Sequence, residues 1–289
     1  MAEWVLGIVG GSGLYDIPGI DGKWNTIESP WGEPSDAVFD GVLDGQRIVF
    51  LPRHGRGHRL SPSGINYRAN IDALKRCGVT DIVSLSAVGS LREALNPGSF
   101  VVVDQFIDRT FAREKSFFGN GCVAHVSVAH PVCPRLADLV TEAARQAGAR
   151  TVQGGTYLAM EGPQFSSKAE SELYRSWGCD VIGMTNMPEA KLAREAELPY
   201  ASVAMVTDYD CWHEVHGAVE VSAILDVMHA NSERAKALVV ALAGALAGTH
   251  RTPSPIDTCL TGAIITSVDA RDPQLVAKLD AVAGRALKS

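Results

Sequence analysis

The chain has 289 residues, 46% of them hydrophobic and 20% charged, with a formal net charge of −7. That length suits one large domain or two small ones, with a core that needs no covalent staples. The negative balance and the absence of a Lys/Arg cluster exclude a long nucleic-acid partner, whose affinity comes from neutralising phosphates, but not a small anion held by a few local donors.

In chain order, "VLGIVGGSG" is a β-branched run breaking into glycines: a buried strand, then a tight loop. "QRIVFLPRHG" repeats the form and ends on Arg53 and His54. "SPSGINYRANIDALKRCG" opens with serine caps, turns Ile65, Ile71 and Leu74 towards one face, and stops at Gly78, as a helix does. "TDIVSLSAVGS" and "GSFVVVDQFID" read as strands. "CPRLADLVTEAARQAG" spaces Leu136, Leu139, Val140, Ala143 and Ala144 at helical intervals. Strand "GTYLAM", helix "SSKAESELYRSWG", strand "CDVIGM", helix "PEAKLAREA" and strand "LPYASVAMV" follow. A long helix is expected within Val221 to Leu246, a proline-bearing break at 252–258, and a last short helix at about 273–287. Strands alternate with helices, and most strands are apolar throughout. The expected fold is therefore α/β: a single domain over 1–289, its central mixed, mainly parallel sheet covered by helices on both faces. Residues 252–289 are expected to form a C-terminal loop and helix near the functional site.

Six cysteines are scattered without a Cys-x-x-Cys pair, and "MAEWVLGIVGGSG" lacks the basic and long apolar regions of a signal peptide. The thiols read as reduced and the protein as cytoplasmic. In "CVAHVSVAHPVC", Cys122, His125, His130 and Cys133 lie close in sequence, but their spacing fits no common zinc finger, so no metal is expected. "ALVVALAGALAG" (237–248) is too short to span a membrane.

Ligands of such folds sit beyond the carboxyl ends of the strands. "GGSG" offers free N–H groups and the Ser12 hydroxyl, but matches neither a Walker A loop nor a dinucleotide fingerprint. Arg53, His54, Ser86 and Thr185 stand at other strand ends. One permanent cation, one titratable donor and three hydroxyls suit a phosphate dianion held as a reactant. Phe165 is a candidate to stack on a planar ring, though a core aromatic is as good a reading in isolation. Met184 is a candidate to pack under a sugar, and Asp208 and Asp210 to read a purine edge. Phosphate and a nucleoside meeting in one pocket implies phosphorolysis of an N-glycosidic bond.

"GIVGGSGLYDI", "LPRHGRGHRLSPSGINYRANIDALK", "GSLREALNPGSFVVVDQFIDRT", "MEGPQFSSKAESELYRSWGCDVIGMTNMPEAKLARE" and "YASVAMVTDYDCW" resemble the 5′-methylthioadenosine phosphorylases, the adenine-preferring branch of the trimeric purine nucleoside phosphorylases. The resemblance runs from about Gly7 to Trp212 and thins after Val221. It implies phosphate contacts for Ser12, Arg53, His54, Ser86 and Thr185. It implies ribose contacts for Ala87 and Met184, base stacking for Phe165, and base recognition for Thr207, Asp208 and Asp210. It also implies a methylthio pocket built from Val221, Ile224 and the His125 of a neighbouring subunit, hence a homotrimer with sites at subunit boundaries. Phosphate is a co-substrate, and no cofactor, nucleic acid or membrane is implied. The implied place is in purine and methionine salvage. Gly183 departs from the family, where some relatives carry asparagine. His58 is expected near the pocket.

The chemistry expected is attack of phosphate on C1′ of the ribose from the face opposite the base, with an acid at N7 to neutralise the leaving purine. Asp208 is the expected acid, kept protonated by burial beside Asp210 and phosphate, with Asp210 in support. A 6-oxopurine or methylthioinosine phosphorylase is the nearest alternative; such relatives tend to carry asparagine at position 208. A hydrolytic nucleosidase or a non-catalytic nucleoside-binding protein are the others.

Overall fold

Strand β5 (Asp81–Ser90) is the axis of the protein. The computed structural model describes residues 3–11, 14, 17–213 and 221–288, except for the side chains of 221–225. Eleven strands form one sheet among the described residues. They are β1 (Val5–Gly10), β2 (Asp21–Asn25), β3 (Val38–Leu43), β4 (Gln46–Pro52), β5, β6 (Ser99–Val103), β7 (Gln105–Asp108), β8 (Arg150–Gln153), β9 (Thr156–Ala159), β10 (Val181–Gly183) and β11 (Tyr200–Asp208). The first half of β5 pairs in parallel with β1 on one side and β11 on the other. Its last residues pair antiparallel with β10, Val181 opposite Ser90 and Ile182 opposite Gly89. The sheet therefore forks. One arm runs through β1, β4, β3 and β2, a second through β10, β9 and β7, and a third through β11, β6 and β8.

The helices are α1 (Tyr67–Arg76), α2 (Pro134–Gln146), α3 (Lys168–Ser176), α4 (Asn186–Glu195), α5 (Val221–Leu246), α6 (Pro273–Lys278) and α7 (Asp280–Leu287). Side chains alternate across β5 as strand geometry requires. Ile82 and Val88 join a core with Ile71 and Leu74 of α1, Leu192 and Ala193 of α4 and Val282 of α7. Val83 and Leu85 join a second core with Leu136 and Val140 of α2 and Leu238 and Leu242 of α5. Local signals match the elements. The Asn66 side chain caps α1 by accepting from the Ala69 N–H at 3.1 Å, and Ser167 and Glu170 form a capping box at α3.

The α/β class, the single domain and the mainly parallel sheet expected from the sequence are what the structure has. Three details differ. The β2–β3 hairpin has no apolar run to announce it, because β2 is a largely exposed edge strand. "GSFVVVDQFID" is two strands, broken at Asp104, where the chain leaves β11 for β9. The C-terminal helix is also two, bending at the buried Leu279. Cys122 and Cys133 are buried, and every cysteine is free. Among the described residues, no group of three or more His, Cys, Asp or Glu side chains is placed to hold a metal ion, and no helix is long and apolar enough to cross a membrane.

The start of β5 is fixed by charge. The side chain of Asp81 is wholly buried between Arg135 of α2 and Arg251, which reaches it at 2.5 Å. Arg251 also holds Asp257 at 2.6 Å, so one cluster ties the segment after α5 to the sheet. Asp81→Ala leaves two guanidinium groups without this partner, and breaking such a buried pair costs about 3–5 kcal/mol. The expected result is a clear fall in Tm and in the urea midpoint; an unchanged midpoint would show that the cluster carries no stability.

Candidate active site

The strand ends open on one cleft of about 310 Å³. It is lined by Gly11 just past β1, by Arg53 and His54 just past β4, by residues 85–89 of β5, by residues 182–185 at the end of β10 and beyond it, and by Met205, Thr207 and Asp208 of β11. Met228, Asn231 and Ser232 of α5 close it, with Phe165, Asp210, His58 and Pro62 from loops.

Arg53, the permanent cation of the sequence reading, is enclosed by the protein. It is 1% exposed, and Glu189 takes it in a two-point ion pair, Nε to Oε2 at 2.8 Å and Nη2 to Oε1 at 3.1 Å. Its remaining donors reach the Leu85 carbonyl, the Val9 carbonyl and the Ser84 hydroxyl. The guanidinium stays charged but forms part of the cleft floor, neutralised from behind. Glu189 has no strong sequence signal. An acid in the first turn of a helix reads as a dipole partner.

His54 is enclosed too. Its Nδ1–H donates to the Leu60 carbonyl at 2.9 Å, and its ring stacks on His58, centroids 4.1 Å apart. Burial lowers its pKa to about 4, with the Arg53 and His58 charges pushing the same way. The neutral ring therefore presents Nε2 as an acceptor rather than as the expected donor. That matches the P–OH of hydrogen phosphate.

Ser86 is buried and donates to Asn186 Oδ1 at 3.0 Å. Asn186 donates in turn to Ser84, Tyr200 and Ser202, and the Tyr200 hydroxyl donates to Glu189 at 2.9 Å. Arg53 and Ser86 thus share one buried polar network. Thr185 is buried beside it at the start of α4.

The wall carrying Met184 is braced from outside by Arg113. This side chain is 1% exposed and donates to the carbonyls of Met184 at 2.5 Å, Met187 at 2.7 Å and Glu161 at 2.6 Å. No local pattern in the sequence singles out Arg113. Phe165 is 83% exposed at the cleft, so the core-aromatic alternative is wrong. Ala87 is exposed on the same surface.

The acids sit where β11 loses register. Its pairing to β5 shifts between Val206 and Asp208, the bulge falling at Thr207. Asp208 Oδ2 accepts from the Thr207 hydroxyl at 2.7 Å and Oδ1 from the Asp210 N–H at 2.8 Å. Burial raises the Asp210 carboxyl above its ordinary value, and the Asp208 charge pushes the same way. Asp210 Oδ2 is buried without a partner. The sequence assigns the proton to Asp208; the buried Asp210 carboxyl beside it is a second candidate, raised above its ordinary value. Asp210 also has φ 53°, a left-handed conformation that Asp and Asn tolerate best among residues with a Cβ.

Ser12 and the side chains of Val221 and Ile224 lie outside the described residues. His125 is exposed and does not line the cleft of its own chain; its N–H donates to the Ala263 carbonyl at 2.9 Å. None of residues 252–289 lines that cleft. Asn231 escaped notice. It is buried, its Nδ2 donates to the Val206 carbonyl, and its Oδ1 is unpaired beside the cleft.

A family model described as the phosphorylase superfamily matches residues 5–243. An S-methyl-5′-thioadenosine phosphorylase from Cereibacter sphaeroides is 62% identical over 287 residues, which covers 98% of this chain and 99% of that one. One of the same name from Rhodospirillum rubrum is 60% identical over 285 residues, 98% and 97% of the two chains. Among solved structures, a methylthioadenosine phosphorylase from an antarctic soil metagenomic library superposes with a TM-score of 0.91 at 46% identity, covering 97% and 99%. A methylthioadenosine phosphorylase from Schistosoma mansoni in complex with adenine gives 0.81 at 35% identity, covering 86% and 93%. The chain belongs to the phosphorylase superfamily.

The raised Asp210 carboxyl has a consequence for stability. The folded protein holds that proton more tightly than the unfolded chain. Its stabilising effect is complete below the unfolded value of 3.8 and is lost as pH rises through the folded value. At neutral pH the residue therefore costs stability. Asp210→Asn should raise Tm at about pH 7.5, and the advantage should shrink as the pH is taken towards 4. A lower Tm for the variant at neutral pH would show that the ionised carboxylate is favourably held.

Proposed function

We propose that the chain releases adenine from 5′-methylthioadenosine by phosphorolysis, forming 5-methylthioribose 1-phosphate. The observation that carries this reading is one cleft that joins a polar network holding Arg53 and Ser86 beside Thr185 to an acid pair at the end of β11. The relatives, named for this activity and matched over nearly the whole chain, support it.

Hydrogen phosphate lies against Arg53, His54, Ser86, Thr185 and Ser12, with its P–OH turned to His54 Nε2. The nucleoside lies against Ala87 and Met184, its base between Phe165 and the acids. A phosphate oxygen attacks C1′ as the C1′–N9 bond breaks. The bond's electrons go to the purine, and the phosphate charge stabilises the cationic sugar. Thr207 and the Asp210 N–H orient Asp208 to read the base edge. The proton delivered to N7 belongs to the acid pair, with Asp210 the better place to keep it. Met205 and Met228 give the cleft an apolar lining suited to a methylthio group. Val221, Ile224 and the neighbour's His125 would complete it, which requires a homotrimer in which the exposed His125 surface covers the next subunit's cleft. Residues 252–289 would stand near a neighbour's active site in the same way, because Ala263 and Ile264 pair with the segment carrying His125. The enzyme needs no cofactor besides phosphate and works in the cytoplasm.

The direct test is adenine release from methylthioadenosine with and without phosphate, beside inosine and methylthioinosine. Release should require phosphate and favour methylthioadenosine. Equal release without phosphate makes the protein a hydrolase, and binding without turnover makes it a sensor.

Base choice tests the acid pair. Asn at 208 exchanges a carboxylate for a donor and an acceptor, which suits a 6-oxopurine. Asp208→Asn should cut kcat/KM for methylthioadenosine by about tenfold to a hundredfold and raise the methylthioinosine preference. Asp210→Asn should lower kcat with less change of preference, since it removes a proton store. Reversal of base choice by Asp210→Asn alone would exchange the two roles.

A further inference from the structure

Two neighbouring strands deliver the walls of the nucleoside end and then stop pairing. β9 and β10 keep register as far as Ala159 and Gly183, and the Met160 N–H donates to the Gly183 carbonyl at 2.9 Å. Past that point no main-chain bond joins the two segments among the described residues. Yet both go on to line the cleft, one with Phe165, the other with Met184 and Thr185. Something other than the sheet must set the distance between them.

Arg113 spans that gap from behind the cleft, which it does not line. Its Nη1 donates to the Met184 and Met187 carbonyls on one segment, and its Nη2 to the Glu161 carbonyl at 2.6 Å on the other. Glu161 answers from its own side: Oε2 accepts from the Phe111 N–H at 2.6 Å and the Ala112 N–H at 3.3 Å, the two residues before Arg113. The two segments also touch directly. Gly162 has φ 69°, and a Cβ there would stand 2.5 Å from Met184 Sδ, so the Met184 side chain lies on the glycine backbone. A guanidinium 1% exposed is costly to bury and needs a reason. The nearest carboxylate oxygen, Glu161 Oε1, is 3.5 Å away, while the shorter bonds all go to carbonyls of the two walls. A rigid planar fork can hold two sets of carbonyls at one separation, which a single ammonium cannot.

We infer that Arg113 is a positioning residue for the nucleoside: it clamps the Met184 segment to the loop from Glu161 to Phe165, so that the ribose wall and the base-stacking ring keep a fixed separation. Arg113 touches neither substrate. The inference rests on the proposed placement of the nucleoside. The phosphate end has its own anchor, because Asn186 is bonded to Ser84, Ser86, Tyr200 and Ser202, and Glu189 holds Arg53. Loosening the clamp is therefore felt by one substrate and not by the other.

Arg113→Lys keeps the charge but can serve only one wall at a time. It should raise the methylthioadenosine KM roughly three- to tenfold and leave the phosphate KM within about twofold. Arg113→Met, which removes the charge, should raise the same KM further and lower Tm. Gly162→Ala leaves Arg113 intact and drives the Met184 side chain off the loop; it should raise the methylthioadenosine KM alone, and it keeps the test readable if the Arg113 variants do not fold. Asp81→Ala, at the opposite end of β5 from the cleft, is the control for lost stability and should leave both KM values unchanged. The inference is overturned if Arg113→Lys lowers Tm with both KM values unchanged, or raises both alike. If the Arg113 variants do not fold, an unchanged methylthioadenosine KM in Gly162→Ala overturns it. Phe165→Ala separates this failure from that of the site. If Phe165→Ala raises the methylthioadenosine KM and Arg113→Lys does not, the clamp alone is wrong. If Phe165→Ala also changes nothing, the nucleoside has been misplaced, and this inference goes with it.

Discussion

A guanidinium sealed from water at the carboxyl ends of three strands sets the terms for this structure. Arg53 leaves β4, accepts Glu189 of α4 as counter-ion, and donates to Val9 of β1 and to Ser84 and Leu85 of β5. Removing such a charge from water costs several kcal/mol, and attraction repays it only when the geometry is good and every donor is used. The ion pair is two-pointed, and each of the three guanidinium nitrogens has an acceptor. The pair therefore fixes where β1, β4, β5 and α4 meet, and Tyr200 extends the hold to β11 through Glu189. Ser86 inherits its orientation from the same network. An anion arriving at this floor meets donors whose positions the fold has already determined, so little reorganisation remains at the moment of reaction.

The cleft is correspondingly poor in free charge. Arg53 is neutralised by Glu189, His54 is held neutral by burial, and the Asp210 carboxyl is raised. Buried polar atoms with no hydrogen bond of ordinary geometry gather around it: the Tyr157 hydroxyl, Asp210 Oδ2 and Asn231 Oδ1. In a core, such atoms would be defects. Around a cleft that must hold a polar substrate they are local concessions of stability to function.

Much of this was legible in the sequence, for identifiable reasons. Buried strands announce themselves as apolar runs, and each ends in small or polar residues because a parallel α/β sheet exposes its carboxyl ends. That made Arg53, Ser86, Thr185 and Asp208 conspicuous. What stayed hidden was partnership across distance. Glu189 lies 136 residues from Arg53, and Arg113 lies 71 residues from Met184. No local pattern records either contact. Charge state was hidden for the same reason. Whether His54 donates or accepts depends on the Leu60 carbonyl, and the rise of the Asp210 carboxyl depends on its burial. The exposed β2 edge lacked a pattern because nothing packs on much of it.

Two carboxylates at the end of a core strand make physical sense only with the bulge. Residues up to Val206 keep step with β5 and are buried on both faces. Had Thr207 stayed in register, Asp208 would have alternated towards a core that cannot hold a charge. The shift at Thr207 re-aims the chain so that its hydroxyl and the next turn's N–H both reach Asp208. Gly89 opposite makes this possible, since a Cβ there would stand 3.1 Å from Asp208 Oδ1 and 3.3 Å from Asp210 Cβ. The same logic operates at Gly183, where an absent side chain admits the Tyr157 hydroxyl. In both places glycine lets a polar group from elsewhere approach the sheet closely. The chemistry at these strand ends is therefore set as much by where side chains are missing as by which ones are present.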